Sequence, residues 1–198
     1  NHMLRGEESL EDELYVGELC KQLEIPLHVA RHDIKSISLK KKLSIEEAGR
    51  ETRYEEYESV ADREGASKIA VAHNRNDQAE TVLLNIIRGT GLEGLKGMDY
   101  KNGRIIRPLL DIDRKEIEDY CILKRLSPRM DSSNLENIYT RNKVRLDLIP
   151  RINDLFNIDV VTSINRMSLI LSEDQGYLEG KAQDLYNECV LEKEDGFP

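Results

Sequence analysis

The stretch AHNRNDQAETVLLNIIRGTG, residues 72–91, brings His73, Asp77 and Glu80 close together in the chain. Asp77 and Glu80 are three apart, so both carboxylates can share one helix face. Such a pair can bind Mg²⁺, bind a substrate ammonium or move a proton. The same spacing also fits a capping box in which Asp77 opens the helix and Glu80 closes back on it. On spacing alone the cap is the better reading. An apolar run, SKIAVAH, precedes the stretch and reads as a buried strand ending at His73. In open α/β sheets ligands bind beyond the carboxyl ends of the strands, which places His73, Asp77 and Glu80 on the functional rim.

A second cluster lies in PRMDSSNLENIYTRNKVRLDLIPR, residues 128–151. Arg141, Lys143, Arg145 and Arg151 stand there against Asp147. With Tyr139 and Asn142 beside them they suit phosphate contacts and a stacked base. The plainer alternative is a solvated helix face starting near Thr140. Arg141 and Arg145 are four apart and repel without an anionic partner, which favours anion binding. In AGRETRYEEY, Arg50 and Arg53 lie three apart on a helix, and pairing with Glu46, Glu47 and Glu56 is the better reading on spacing. GTGLEG, residues 89–94, matches a dinucleotide fingerprint in letters only. A helix precedes it, so Gly89 reads as a helix C-cap. No Walker A loop is present, and His28 and His32 are too few for a zinc site.

These groups need a scaffold. The chain has 198 residues, 34% of them charged, and a net charge of −9. That is room for one full domain, and not the profile of a simple nucleic-acid binder. Cys20, Cys121 and Cys189 are far apart and odd in number, which argues against a disulfide framework and for a reducing, cytoplasmic setting. No apolar run approaches a membrane span, and no signal peptide is visible.

The periodicity predicts a first amphipathic helix with Leu10, Leu14, Leu19 and Leu23, Ser9 and Asp12 serving as a cap variant. PLHVARHDI reads as a strand and SLKKKLS as a basic loop. A helix runs from Ser44 to Gly65 with Ser44 and Glu47 as a capping box. DQAETVLLNIIRG is a helix with Ala79, Val82, Leu83, Ile86 and Ile87 as one buried stripe. GRIIRPLLDI reads as a strand halted by Pro108, and the helix after it starts at Asp113 with Glu116 at N3. Strands and helices alternate to about residue 126. The expected fold class is therefore α/β, a parallel sheet with helices on both faces. After Pro150 the pattern turns helical, with Ile164, Leu171, Leu178 and Leu185 every seven residues, which reads as one long helix or as a hairpin interrupted near Gly176 or Gly180. The expected domains are 1–150, an α/β domain, and 151–198, a helical extension or connector.

LRGEES, EEAGRETRYEEY, AHNRNDQAETVLLNIIRGTGLEGLKGM, IIRPLLDIDRKEIEDYC and DSSNLENIYTRNKVRLDLIPRIN occur in this order. Together they closely resemble the tRNA(Ile)-lysidine synthetases, bacterial PP-loop ATPases, over residues 2–153. The resemblance implies a PP-loop fold, here without its first βα unit, and a tRNA-modifying ligase. ATP would adenylate the C2 carbonyl oxygen of the wobble cytidine in a tRNA(Ile) with a CAU anticodon. The L-lysine ε-amine would then displace AMP to give lysidine. That amine attacks only when neutral, so a nearby base is needed. Carried over by motif, His73, Asp77 and Glu80 face the reacting centre, with Asp77 and Glu80 on Mg²⁺ or lysine. Arg88 and Gly89 lie by the nucleotide. Asp131, Asn134, Arg141, Asn142 and Arg145 shape the site and meet tRNA, and Arg50 and Arg53 reach substrate.

The chain departs from the family pattern in one respect. The phosphate-binding Ser-Gly-Gly-x-Asp-Ser loop is absent, and no two of the 12 glycines are adjacent. The expectation is a portion of the enzyme, inactive by itself. The alternatives are another PP-loop adenylating enzyme, a tRNA thiolase or an amide-forming synthetase, and a fragment that only binds nucleic acid or a partner. Whether the protein is a homodimer stays open.

Overall fold

A computed structural model describes residues 1–129 and 140–189. The chain divides into two compact units, Asn1–Ile69 and Ala70 onward. No helix among the described residues is long and apolar enough to cross a membrane.

The first unit holds α1 (Glu7–Gln22), α2 (Ile34–Lys41) and α3 (Ile45–Arg63). α3 begins as its sequence predicts. The Ser44 hydroxyl accepts from the Glu47 N–H, and the Glu47 carboxylate accepts from the Ser44 N–H. α1 starts earlier than expected, after Gly6, and Ser9 accepts from the Arg5 N–H inside the first turn instead of capping. Most of the segment read as a basic loop is α2. Asp33 caps it by accepting from the Ser36 N–H, and Ile34 anchors it with no exposure. PLHVARHDI, expected as a strand, has no regular secondary structure until α2 begins and joins no ladder among the described residues. Its backbone is instead held at single points, such as the His32 N–H donating to the Asn1 carbonyl at 2.9 Å.

The second unit begins where β1 (Ile69–Ala70) leads into α4 (Arg75–Arg88). α5 (Leu92–Leu95), β2 (Lys101–Asn102), β3 (Ile105–Ile106) and α6 (Arg114–Leu123) follow. After the undescribed residues come α7 (Thr140–Lys143), a π-helical turn (Val144–Leu148), α8 (Ile149–Phe156) and α9 (Val160–Cys189). The small sheet has the order β1-β3-β2. β2 and β3 are antiparallel, Lys101 opposite Ile106 and Asn102 opposite Ile105, where a parallel arrangement was expected. The cause is local. Gly103, with φ +59°, sits first in a two-residue hairpin loop, the position where a tight hairpin favours glycine.

α4 is the centre of the core. Ala79, Val82, Leu83 and Leu84 pack with Val144, Ile149, Val160, Val161 and Ile164 from the π turn, α8 and α9. The predicted stripe holds for its first three members only: Ile86 and Ile87 are 47% and 62% exposed. The last turn of α4 runs past the helices that cover the earlier ones. α9 is one long helix, continuous through Gly176 and Gly180, and it packs on α4 through its first half. Helix packing continues across residue 150, and the division into compact units falls at Ile69. Leu178 and Leu185 of the seven-residue pattern are exposed.

Buried Gln78 fastens three segments. Its amide nitrogen donates to the carbonyls of Lys96 and Met98 and to the Ser168 hydroxyl, and its oxygen accepts from the Met98 N–H at 2.7 Å. Gly97 has φ +72°, and a Cβ there would lie 2.7 Å from the Gln78 oxygen. Gly97→Ala is expected to cost about 2 kcal/mol through backbone strain and overpacking, read as a lowered urea midpoint.

In the first unit, Arg31 grips Glu13 with two N–H bonds, 3.1 and 2.5 Å long. With a further bond from Asn1, this holds the Glu13 carboxyl down at about 2 from its ordinary 4.5. A depressed carboxylate contributes stability above its ordinary range and loses it as pH falls through the folded value. The contribution is expected to fade between about pH 4.5 and 2. Carboxyl NMR of Arg31→Gln should show Glu13 titrating higher, back towards 4.5.

Candidate active site

The run after β1 carries Val71 into the sheet edge, its N–H donating to the Ile106 carbonyl at 3.0 Å. His73, partly buried, follows two residues on, at the mouth of α4. α4 opens three residues before the sequence suggested. Asn74, not Asp77, is the N-cap, accepting from the N–H groups of Asn76 and Asp77 at 3.0 and 3.1 Å. Asp77 takes the N3 position and returns one oxygen, Oδ2, to the Asn74 N–H at 3.0 Å. Its other oxygen, Oδ1, is left for partners beyond the helix end. The start of α4 is further tied down by the Arg75 N–H donating to Ile112 O and by Asn76 accepting from the Arg114 N–H.

Glu80, one turn along, shares the face of Asp77 and its side chain is 1% exposed. It does not fold back onto the helix end. Its carboxylate receives Arg141 Nε at 2.7 Å on Oε2. Arg145 donates to both oxygens, Nε to Oε1 at 2.6 Å and Nη2 to Oε2 at 3.0 Å. The same two guanidiniums reach Asp77 Oδ1, at 3.2 Å from Arg141 and 3.3 Å from Arg145. The anion that Arg141 and Arg145 required is thus supplied by the protein itself. Two carboxylates and two guanidiniums balance, and burial of Glu80 is tolerated because both its oxygens are charge-paired.

Arg145 lies in the π turn. Pro150 follows two residues after that turn and cannot donate a backbone bond, so the helix is disturbed where the cluster forms. Burial alone would lower the Arg145 pKa. The bond to Glu80 and the nearby charges of Glu80 and Asp77 outweigh it and raise the value.

The remaining expected site residues are placed as follows. Asn142 is the buried residue of α7, which withdraws it from a solvent-facing contact. Arg88 and Gly89 lie at the far end of α4, about 16 Å along the axis from Asp77 at 1.5 Å per residue. Gly89, with φ +78°, is the C-cap that the sequence predicted. Arg50 and Arg53 are exposed on α3 in the first unit. The ion pairs predicted for them are displaced: Glu47 closes the capping box, Glu56 pairs with His32 at 2.9 Å, and Arg50 lies over the Tyr54 ring. Asp131 and Asn134 lie outside the described residues. Asn74 was missed although Asn74-x-x-Asp77 fits the box pattern as well as Asp77-x-x-Glu80 does.

Residues 1–152 match the family model of the PP-loop domain. This chain belongs to the PP-loop family. Among curated proteins, this PP-loop chain is 50% identical to the tRNA(Ile)-lysidine synthase of Caldanaerobacter subterraneus subsp. tengcongensis, over 98% of its own length and 42% of the relative's. It is 49% identical to that of Clostridioides difficile, over 100% of its own length and 43% of the relative's. The chain therefore spans about two fifths of the length of these relatives. Among solved structures it resembles the U34-tRNA thiolase NcsA of Methanococcus maripaludis, described with its 4Fe–4S cluster. The TM-score is 0.65 at 17% identity, covering 87% of this chain and 60% of the other. At that identity the likeness speaks for the fold alone.

Removing one partner of a buried ion cluster strands the others. Glu80→Gln is expected to destabilise the protein by about 3 kcal/mol, near the low end for such pairs because both arginines keep some exposure. Arg145→Lys keeps the charge but loses the fork, and should cost less. Urea unfolding at constant slope checks both, and an unchanged midpoint for Glu80→Gln would exclude a structural role for the cluster.

Proposed function

We propose that this PP-loop chain is part of a tRNA(Ile)-lysidine synthetase, which ligates L-lysine to C2 of the wobble cytidine at the cost of ATP. The carrying observation is the meeting of two distant motifs at one carboxylate. The HNRNDQAE segment and the TRNKVR segment, two parts of the motif set that suggests the reading in sequence, close on Glu80 through Arg141 and Arg145. Identity of about one half to named lysidine synthases, over nearly the whole chain, supports the same reading.

In this proposal the nucleotide activates the cytidine by making its C2 oxygen a leaving group, and the lysine amine then displaces AMP. Glu80, saturated by two guanidiniums, acts as a positioning residue. It fixes Arg141 and Arg145 at the mouth of α4, where they meet negative charge on the activated tRNA. Asp77 Oδ1 is held by both arginines only at 3.2 and 3.3 Å, longer than the bonds to Glu80, so Asp77 is the better candidate to exchange a guanidinium contact for the single N–H of an incoming ammonium. His73, at the end of the run from β1, is the candidate to take its proton. Arg88 and Gly89 would reach the nucleotide only at the other end of α4. Asp131 and Asn134 remain proposed tRNA contacts, as do Arg50 and Arg53.

Mg²⁺ does not fit Asp77 and Glu80 in this arrangement. A cation there would face two guanidiniums already holding three of the four carboxylate oxygens, while the fourth caps the helix. No step is assigned to a metal at this pair.

In the full-length protein, AMP release should require both lysine and the cognate tRNA. Asp77→Asn should lower kcat/KM for lysine about 100-fold, mainly through KM, with ATP dependence little changed. Modification of the tRNA without lysine would overturn the reading.

A further inference from the structure

A cleft of about 280 Å³ opens between the start of α4, the segment from Lys96 to Tyr100, and the first half of α9. It lies in the second unit and is lined by none of the residues of the Asp77–Glu80 cluster. Its lining carries three cations, Arg75, Lys96 and Arg166, and two carboxylates, Asp99 and Asp111.

The acids are already engaged. Asp99 lies 3.3 Å from the Lys96 ammonium, which also holds Glu93 at 3.2 Å. Asp111 accepts from the Tyr100 hydroxyl at 2.7 Å. Asp159, whose charge senses Arg75, accepts from the Thr162 N–H and hydroxyl at 3.1 and 2.6 Å. The two arginines, in contrast, form no ion pair or side-chain hydrogen bond among the described residues. Arg75 is half-buried in the first turn of α4, where the helix dipole is also positive, and Arg166 is exposed on α9. The side-chain amide of Asn165, next to Arg166 in α9, donates to the Arg75 carbonyl at 3.0 Å, so the two helices are tied together where the two arginines leave them. A cleft whose acids are neutralised while two guanidiniums stand unpaired is built for an external anion with several acceptor oxygens.

We infer that Arg75 and Arg166 grip a backbone phosphate of RNA in this cleft, a second contact away from the Asp77–Glu80 cluster. The choice of RNA rests on the proposed tRNA-modifying function. Neither arginine has an aromatic platform in the lining beyond Tyr100, so the contact reads charge and not base identity. It positions the tRNA and is blind to the anticodon.

The test measures binding of the chain to cognate and non-cognate tRNA across a salt series. Arg75→Gln and Arg166→Gln are each expected to weaken both tRNAs about five- to tenfold. Each should also lower the slope of log affinity against log salt, and the double variant should lower it by roughly 0.7 to 0.9, one phosphate contact. Lys181→Gln, an equal loss of charge further along α9, should leave the slope unchanged. Arg166→Glu, at an exposed position, repeats the test with reversed charge and should weaken binding further. Wild-type slopes in the arginine variants, or no measurable binding of tRNA by the chain, overturn the inference. So does a loss confined to ATP or inorganic phosphate, which would make the anion a free one. A lowered slope in a protein that ligates no lysine would sustain the phosphate contact and defeat the lysidine reading, whereas ligation with unaltered slopes would do the reverse.

Discussion

The buried carboxylate of Glu80 is the constraint around which the second unit is arranged. A carboxylate with almost no exposure is costly unless charge meets it, and two guanidiniums do so from a segment 61 and 65 residues further along the chain. An apolar contact in the same place could hold the helices together as well. It would not fix the rotation of α7 and the π turn about their axes, because apolar surfaces slide and forked hydrogen bonds do not. The cluster thus sets direction more than it adds strength. The apolar residues beside it, Val82 and Val144 among them, supply the burial.

Much of the helical plan was legible because it is written in pairs of residues close in sequence. Ser44 with Glu47 and Asp113 with Glu116 form the boxes that their spacing predicts. The start of α4 was misplaced for the same reason that the others succeeded. Asn74-Arg75-Asn76-Asp77 and Asp77-Gln78-Ala79-Glu80 fit one template equally well, and nothing local chooses between them. The choice is made at long range, where Arg141 and Arg145 draw Glu80 inward and leave Asp77 to close on Asn74. The repulsion between those arginines was visible as a need for an anion, but sequence could not say whether the anion was a ligand or the protein's own side chain.

The sheet was harder to read. The alternation of strand-like and helical segments suggested parallel strands, yet the strands are two residues each, and the pairing of β2 with β3 follows from Gly103 in the loop between them. Family membership carries the fold class where strand patterns alone do not. The Gln78 fastening to Lys96, Met98 and Ser168 had no sequence signal, because a lone glutamine in a helix reads as surface until its partners are known.

The π turn at Val144–Leu148 has a consequence for how this stretch can vary. A helix advances about 100° per residue, so a single inserted or deleted position turns everything beyond it by that angle. In an ordinary exposed helix such a change is absorbed at the next loop. Here Arg141 lies before the turn and Arg145 within it, and both must point at one carboxylate. The segment is therefore free to exchange exposed side chains such as Leu146 but not to change its length. Variation by substitution is open to it, and variation by indel is closed.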